Sequence, residues 1–332
     1  MALDVDIRGM PTIMLIGAGQ IGSRHLQALK KVRIPLDITV IDPSAESLRT
    51  AQERYENAPG EGAHTLRYEP TLPTAATSLD IAIVATSSNV RRDILVELLK
   101  VHTVKYFILE KLLFHRKEHY AEIEALFLAK GIHAWVNCSM RVTPFYETIR
   151  PYFDGTRLFY RMSGGDWGMM CNVIHFIDHL SYYSRTLDYT VDLHLLDPHL
   201  LPAKRKGFFE LSGTLIAYFN NGSMGIFTSH AEGTAPITFE IANHRARVIV
   251  REAERKAWIS REEEGWHWRE VETVIPYQSE LTNLLVEQLL NKGSCHLPTF
   301  TDSARLHLQH LEPILAWVNQ HSENKFDYYP FT

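Results

Sequence analysis

Residues 11–31 read PTIMLIGAGQIGSRHLQALKK. Thr12 to Ile16 form an apolar run that meets Gly17, Gly19 and Gly22, and Ile21, His25, Leu26 and Leu29 then recur at helical spacing. The pattern predicts a strand, a tight turn and a helix. A G-x-G-x-x-G turn alone carries little weight, but this one follows a strand, opens a helix and is succeeded by a second apolar run, ITVID, ending in Asp42. In such a unit Gly17 permits the turn, Gly19 lets the main chain approach a pyrophosphate, and Gly22 allows the helix to lie close on the strand. The free N–H groups and dipole of the helix N-terminus favour the phosphates. Asp42 is placed to accept hydrogen bonds from ribose hydroxyls and to repel a 2'-phosphate, so NAD is expected in preference to NADP. Gly17, Gly19, Gln20, Ile21, Gly22 and Asp42 are therefore candidate cofactor residues.

The alternation continues outward from this turn. PSAESLRTAQERY reads as a second helix, Asn57 to Leu79 as a polar connection, DIAIVATSS and NVRRDILVELLK as strand and helix, then KYFILEK, HYAEIEALFLAK and IHAWVN as strand, helix and strand. Strands alternating with helices imply a doubly wound parallel sheet over residues 1–140, an α/β Rossmann domain. From 141 to 332 the texture changes. RLFYRM, GTLIAYF, SMGIFTSH, ITFEIA, ARVIVRE, KAWIS and GWHWREV are strand-like without intervening helices, and NNGS joins two of them as a hairpin. An α+β domain with an open-faced, mainly antiparallel sheet is expected, with NVIHFIDHLSYYS and SELTNLLVEQLLNK as its helical cover. TDSARLHLQHLEPILAWVNQ is compatible with packing on either domain.

Composition narrows the function classes. The 332 residues are 45% hydrophobic, ample for two cores. Thirty-four basic and 39 acidic residues leave a formal charge of -5, which gives no nucleic-acid footprint. No apolar stretch reaches a membrane span and MALDVDIRGM has no signal-peptide pattern, so no membrane partner and a cytoplasmic protein are expected. Cys138, Cys171 and Cys295 suit neither a disulfide framework nor a Cys-x-x-Cys metal site.

Four segments, GAGQIGSRH with Asp42, IAIVATSS, FILEK and CNVIHFIDHL, together resemble the Gfo/Idh/MocA oxidoreductases, the glucose-fructose oxidoreductase and inositol dehydrogenase family, over nearly the whole chain. The resemblance implies an NAD(P)-dependent dehydrogenase or reductase acting on a secondary alcohol or ketone of a sugar, amino sugar, nucleotide sugar or cyclitol. Thr86, Ser87 and Asn89 become cofactor contacts, as do Glu110 and Lys111 at the strand end, where Leu112 stands in place of the usual proline. Glu110 is assigned either to the cofactor site or to orienting Lys111. Lys111 and His175 are implied as the catalytic pair: an ammonium stabilises oxyanion charge and an imidazole exchanges the carbinol proton as hydride moves. Asn172, Arg141 and Arg161 are candidate substrate-binding residues.

The chain departs from the family one turn before His175, where Cys171 stands at a position that commonly holds Asp. That departure keeps open a non-catalytic dinucleotide-binding protein, and an enzyme that recycles bound NAD during elimination or hydrolysis. Read without the family, HFIDH suggests an inverted zinc-protease pattern, but that pattern needs Glu at Asp178 and no third ligand is readable, so no metal is assigned. The alternating apolar residues of the later strands need cover, and a homodimer or homotetramer is expected.

Overall fold

The computed structural model describes residues 9–323 and 325–332. They fall into two compact units, both discontinuous in sequence. One comprises the described chain up to Glu110 with Ala125–Trp135 and Pro276–His296, and the other Lys111–Glu124, Val136–Ile275 and Leu297–Thr332. The expected boundary at 140/141 lies inside the second unit.

The first unit carries β1 (Thr12–Ile16), α1 (Gln20–Leu29), β2 (Asp37–Ile41), α2 (Ala45–Glu56), β3 (Thr65–Glu69), β4 (Ser78–Val84), α3 (Ser88–Val101) and β5 (Thr103–Leu109). With α4 (Lys117–Ala129) and β6 (His133–Val136) they build a six-stranded sheet of order β3-β2-β1-β4-β5-β6, the doubly wound Rossmann order. β1, β2, β4 and β5 end in runs of consecutive buried residues because a parallel sheet with helices on both faces leaves no side for polar groups. β3 is the strand missed within the polar connection. Its sequence TLRYE alternates exposed and half-buried residues because it is a sheet edge, and Arg67 pairs there with Asp37 of β2 at 2.7 Å.

The second unit holds α5 (Pro144–Ile149), β7 (Phe159–Gly165), α6 (Met169–Ser184), β8 (Tyr189–Leu196), β9 (Leu201–Pro202), β10 (Phe209–Glu210), β11 (Gly213–Phe219) and β12 (Met224–His230). It continues through β13 (Thr238–Ala242), β14 (Ala246–Arg251), β15 (Lys256–Arg261) and β16 (Arg269–Glu272). Eight strands form a sheet of order β16-β15-β14-β13-β7-β12-β11-β8, antiparallel throughout the described residues except for β7 with β12. β9 and β10 form a separate ribbon. One face of the large sheet is buried beneath α6. There Tyr160 of β7 stacks on Phe239 of β13, Phe227 and Phe176 complete the cluster, and Tyr160 Oη meets His179 Nδ1 at 3.2 Å.

The last two helices correct the expected cover. α7 (Thr282–Lys292) packs on α1 in the first unit, presenting Leu285, Val286 and Leu289, and so does not cover the second sheet. α8 (Phe300–His321) instead packs on β8 and α6, where Tyr189 Oη donates to the Leu306 carbonyl at 2.5 Å and contacts His310 Nδ1 at 3.0 Å. Among the described residues, no helix is long and apolar enough to cross a membrane.

Candidate functional site

In the first unit β1 runs into Gly17, whose φ of 94° is left-handed. A Cβ on Gly17 would lie 2.9 Å from the Ala85 carbonyl carbon, and one on Gly22 only 1.7 Å from the Gly17 carbonyl oxygen. These two glycines are required by the protein's own backbone. Gly19 is different: it is exposed, caps α1, and a Cβ there would meet nothing within 4 Å. The first turn of α1 has neither a side-chain cap nor an acidic residue, and Gln20 and Ile21 within it are exposed, so its N–H groups carry no capping side chain. Gln20 Oε1 accepts from Arg54 of α2 at 2.9 Å.

Asp42 follows β2 and braces the turn, its Oδ2 accepting from Ala18 N at 2.7 Å and its Oδ1 from Ser44 N at 2.9 Å. Each oxygen keeps a further lone pair. At the end of β4, Thr86 Oγ1 is buried without a hydrogen-bond partner among the described residues. Ser87 caps α3 without a side-chain hydrogen bond, and Asn89 is exposed on its first turn. An exposed glycine cap, helix amides without a capping side chain, a braced carboxylate and an orphaned hydroxyl fit a dinucleotide, with Gly19 and the α1 amides for the pyrophosphate and Asp42 for the ribose.

Glu110 closes this set after β5. It is buried, and its Oε1 lies 3.0 Å from Nε2 of His25, a fully buried residue of α1. His25 Nδ1 in turn meets Thr282 Oγ1 of α7 at 2.8 Å. Sequence spacing marked His25 as one of the residues on the buried stripe of α1 and did not show this link to Glu110.

The second unit gathers another set around the start of α6, which follows Gly168 in the left-handed region at φ 69°. Lys111 is joined to Leu112 by a cis peptide bond. Its Nζ donates to the Cys171 carbonyl at 3.0 Å, to Cys171 Sγ at 3.1 Å and to Asn172 Oδ1 at 3.0 Å. Asn172 Nδ2 donates to the Trp167 carbonyl at 2.8 Å, which fixes the amide. Cys171, Asn172 and His175 lie within one turn of α6, and all three are half-buried. Lys111, Asn172 and His175, three of the expected residues, are thus brought to one helix end.

Arg141 and Arg161 are not. Arg141 Nε and Nη2 clamp Asp178, itself fully buried, at 2.7 and 2.6 Å, so its fork is used in a structural ion pair. Arg161 alternates with the buried Tyr160 and Met162 on β7 and is exposed on the sheet face opposite α6. His179 sits among the rings of Tyr146, Tyr160 and Tyr183, and burial drives its imidazole down to about 3.

A carboxylate that sequence reasoning missed lies at the same helix end. Glu210 of β10 is 9% exposed, and its Oε2 and Oε1 accept from Met170 N at 2.7 Å and Cys171 N at 3.3 Å. Burial raises its carboxyl from the usual 4.5 to about 7, opposed by the two amide hydrogen bonds and by Lys111. No local pattern announces Glu210, because its partners lie some forty positions earlier.

No protein-family model and no curated protein matches the sequence. Solved structures do match. UDP-N-acetylglucosamine 3-dehydrogenase GnnA from Acidithiobacillus ferrooxidans superposes with a TM-score of 0.69 at 13% identity, over 95% of this chain and 100% of that one. An Agrobacterium radiobacter oxidoreductase in complex with NAD+, L-tartaric acid and magnesium gives 0.70 at 13% identity, over 91% and 94%. A Gfo/Idh/MocA family oxidoreductase from Vibrio cholerae gives 0.65 at 15% identity, over 94% and 99%. The fold is that of the Gfo/Idh/MocA oxidoreductases.

Within the Gfo/Idh/MocA fold the two kinds of glycine predict opposite outcomes. Gly22→Ala forces backbone apart and should lower stability by roughly 2 kcal/mol or more. Gly19→Ala should change it by less than about 1 kcal/mol. Thermal unfolding of the two variants beside the parent checks this; equal losses would contradict the close approach of α1 to β1.

Proposed function

We propose that the protein is an NAD-dependent oxidoreductase that interconverts a secondary alcohol and a ketone of a small sugar-like molecule. The observation that carries this reading is the Lys111 ammonium held at the first turn of α6 beside Asn172, one turn before His175. The open glycine cap of α1 supports the cofactor, and the carboxylate of Asp42 favours NAD over NADP. Dehydrogenase and NAD+-bound oxidoreductase neighbours of the same fold agree with this class.

When bound, the nicotinamide supplies the two-electron hydride acceptor or donor. In oxidation, His175 in its neutral form takes the hydroxyl proton, and it returns a proton in reduction. Lys111 donates a hydrogen bond to the carbinol oxygen as negative charge develops there. The N–H now directed at Cys171 Sγ is the one to be redirected, because sulfur is the weakest acceptor of the three. Asn172 retains one N–H and one lone pair beyond its bonds to Lys111 and Trp167, enough to bind a neighbouring hydroxyl.

The uncovered face of the large sheet carries Phe159, Ile216, Tyr218, Ile226, Ile249 and Trp258, all at least partly exposed. We assign it to a homo-oligomer contact, dimer or tetramer. Light scattering at micromolar concentration should give a multiple of the 38.1 kDa chain mass, and a monomer alone would remove the assignment.

Turnover in a screen of sugars, amino sugars, nucleotide sugars and cyclitols tests the chemistry. Lys111→Met and His175→Ala should each lower kcat by roughly 100 to 10,000-fold, with NADH affinity by calorimetry nearly unchanged. Cys171→Ser should have little effect. Near-normal turnover by His175→Ala would refute its role, and NADH binding without turnover of any substrate would favour a non-catalytic dinucleotide-binding protein.

A further inference from the structure

Lys111 directs its Nζ at three α6 acceptors, a carbonyl, a thiol sulfur and an amide oxygen, and none of them is charged. A half-buried ammonium held by neutral acceptors needs compensating charge close by. α6 does not provide it in its first turn, MMCN. Glu210 lies at that same turn, with both carboxylate oxygens on the amides of residues 170 and 171 and its charge acting on Lys111. Gly168 makes room for it: a Cβ there would stand 3.3 Å from Glu210 Oε1 and 3.3 Å from Asn172 Nδ2.

We propose that Glu210 is a positioning residue which supplies, from β10, the negative charge that α6 lacks at Cys171, locking the first turn of α6 and setting the electrostatic state of the Lys111–Cys171–Asn172 cluster. It does so without touching the reacting atoms. The charged and titratable groups that act on it or are bonded to it are Lys111, the exposed Asp166 ahead of α6, and Cys171, whose amide donates to it. Lys111 favours the ionised carboxylate, while Asp166 and burial oppose it. Glu210 therefore changes charge near neutral pH. The consequence for catalysis rests on the oxidoreductase reading; the charge coupling itself does not.

Cys171 provides a readout that needs neither substrate nor cofactor. It is half-buried whereas Cys138 and Cys295 are buried, and its amide is bonded to Glu210. Alkylation by iodoacetamide proceeds through the thiolate, which a neighbouring negative charge disfavours. The rate at Cys171 is followed by peptide mass spectrometry from pH 5.5 to 8.5 in the parent, Glu210→Gln and Glu210→Asp. With Glu210 protonated at pH 5.5, the parent and Glu210→Gln should react within about twofold of each other. At pH 8.5 Glu210→Gln should react roughly three- to tenfold faster, and Glu210→Asp, which keeps the charge, should stay near the parent. A rate ratio that is the same at both pH values overturns the proposal, because a lost helix cap alone would expose Cys171 equally at every pH. Should Glu210→Gln fail to fold, the parent decides: its pH–rate curve should bend downward between pH 6 and 8, and a curve for one isolated thiol overturns the proposal. Failure here leaves the oxidoreductase reading standing, and a failed substrate screen leaves the coupling standing.

Discussion

The contact between α1 and β1 governs the first unit. Helix backbone comes so close to the Gly17 carbonyl that position 22 has no room for a single methyl group. That approach aims the α1 N-terminus past the end of β1, beside the end of β4, where the strand order β3-β2-β1-β4 reverses direction. Open parallel sheets bind ligands at this switch point, because the helices diverge there and leave amides facing outward. Asp42 ties the next strand to the turn through the Ala18 amide, so the carboxylate and the amides are held as one rigid edge. The exposed Gly19 is thus framed by residues whose own places are fixed by packing.

This part of the molecule was legible because its determinants are local. The glycines, the apolar strand and the helical stripe sit within about twenty residues, and buried parallel strands write themselves as continuous apolar runs. β3 was illegible for the same reason reversed: an edge strand with a salt-bridged polar face has the composition of a loop. α7 has an apolar face equally suited to a sheet or a helix, and periodicity does not say which partner it meets. Its place on α1 is a choice made by tertiary packing.

In the second unit the legible portion is the helix end. Asn172 and His175 were marked by the resemblance of CNVIHFIDHL to the family's helix, and Lys111 by its place after an apolar strand. The partner of Arg141 was not legible because the buried carboxylate that takes its fork, Asp178, lies 37 positions later, and the place of Arg161 was not legible because alternation fixes which residues share a side without saying which side α6 covers. Glu210 lay beyond the reach of spacing altogether. A two-residue strand carries no periodic signal, and its meaning arises only when β10 is laid against the amides of α6. The charge balance at Lys111 is therefore a property of the tertiary fold, while the identity of the lysine is a property of the strand that precedes it.

The account rests on a dinucleotide seated on the glycine cap of α1, and a crystal structure grown with millimolar NADH tests that most directly. Density for the pyrophosphate should lie against the α1 amides at Gly19, with the adenosine ribose hydroxyls within hydrogen-bond distance of Asp42. Crystals that hold the dinucleotide elsewhere, or none at saturating NADH, would contradict it.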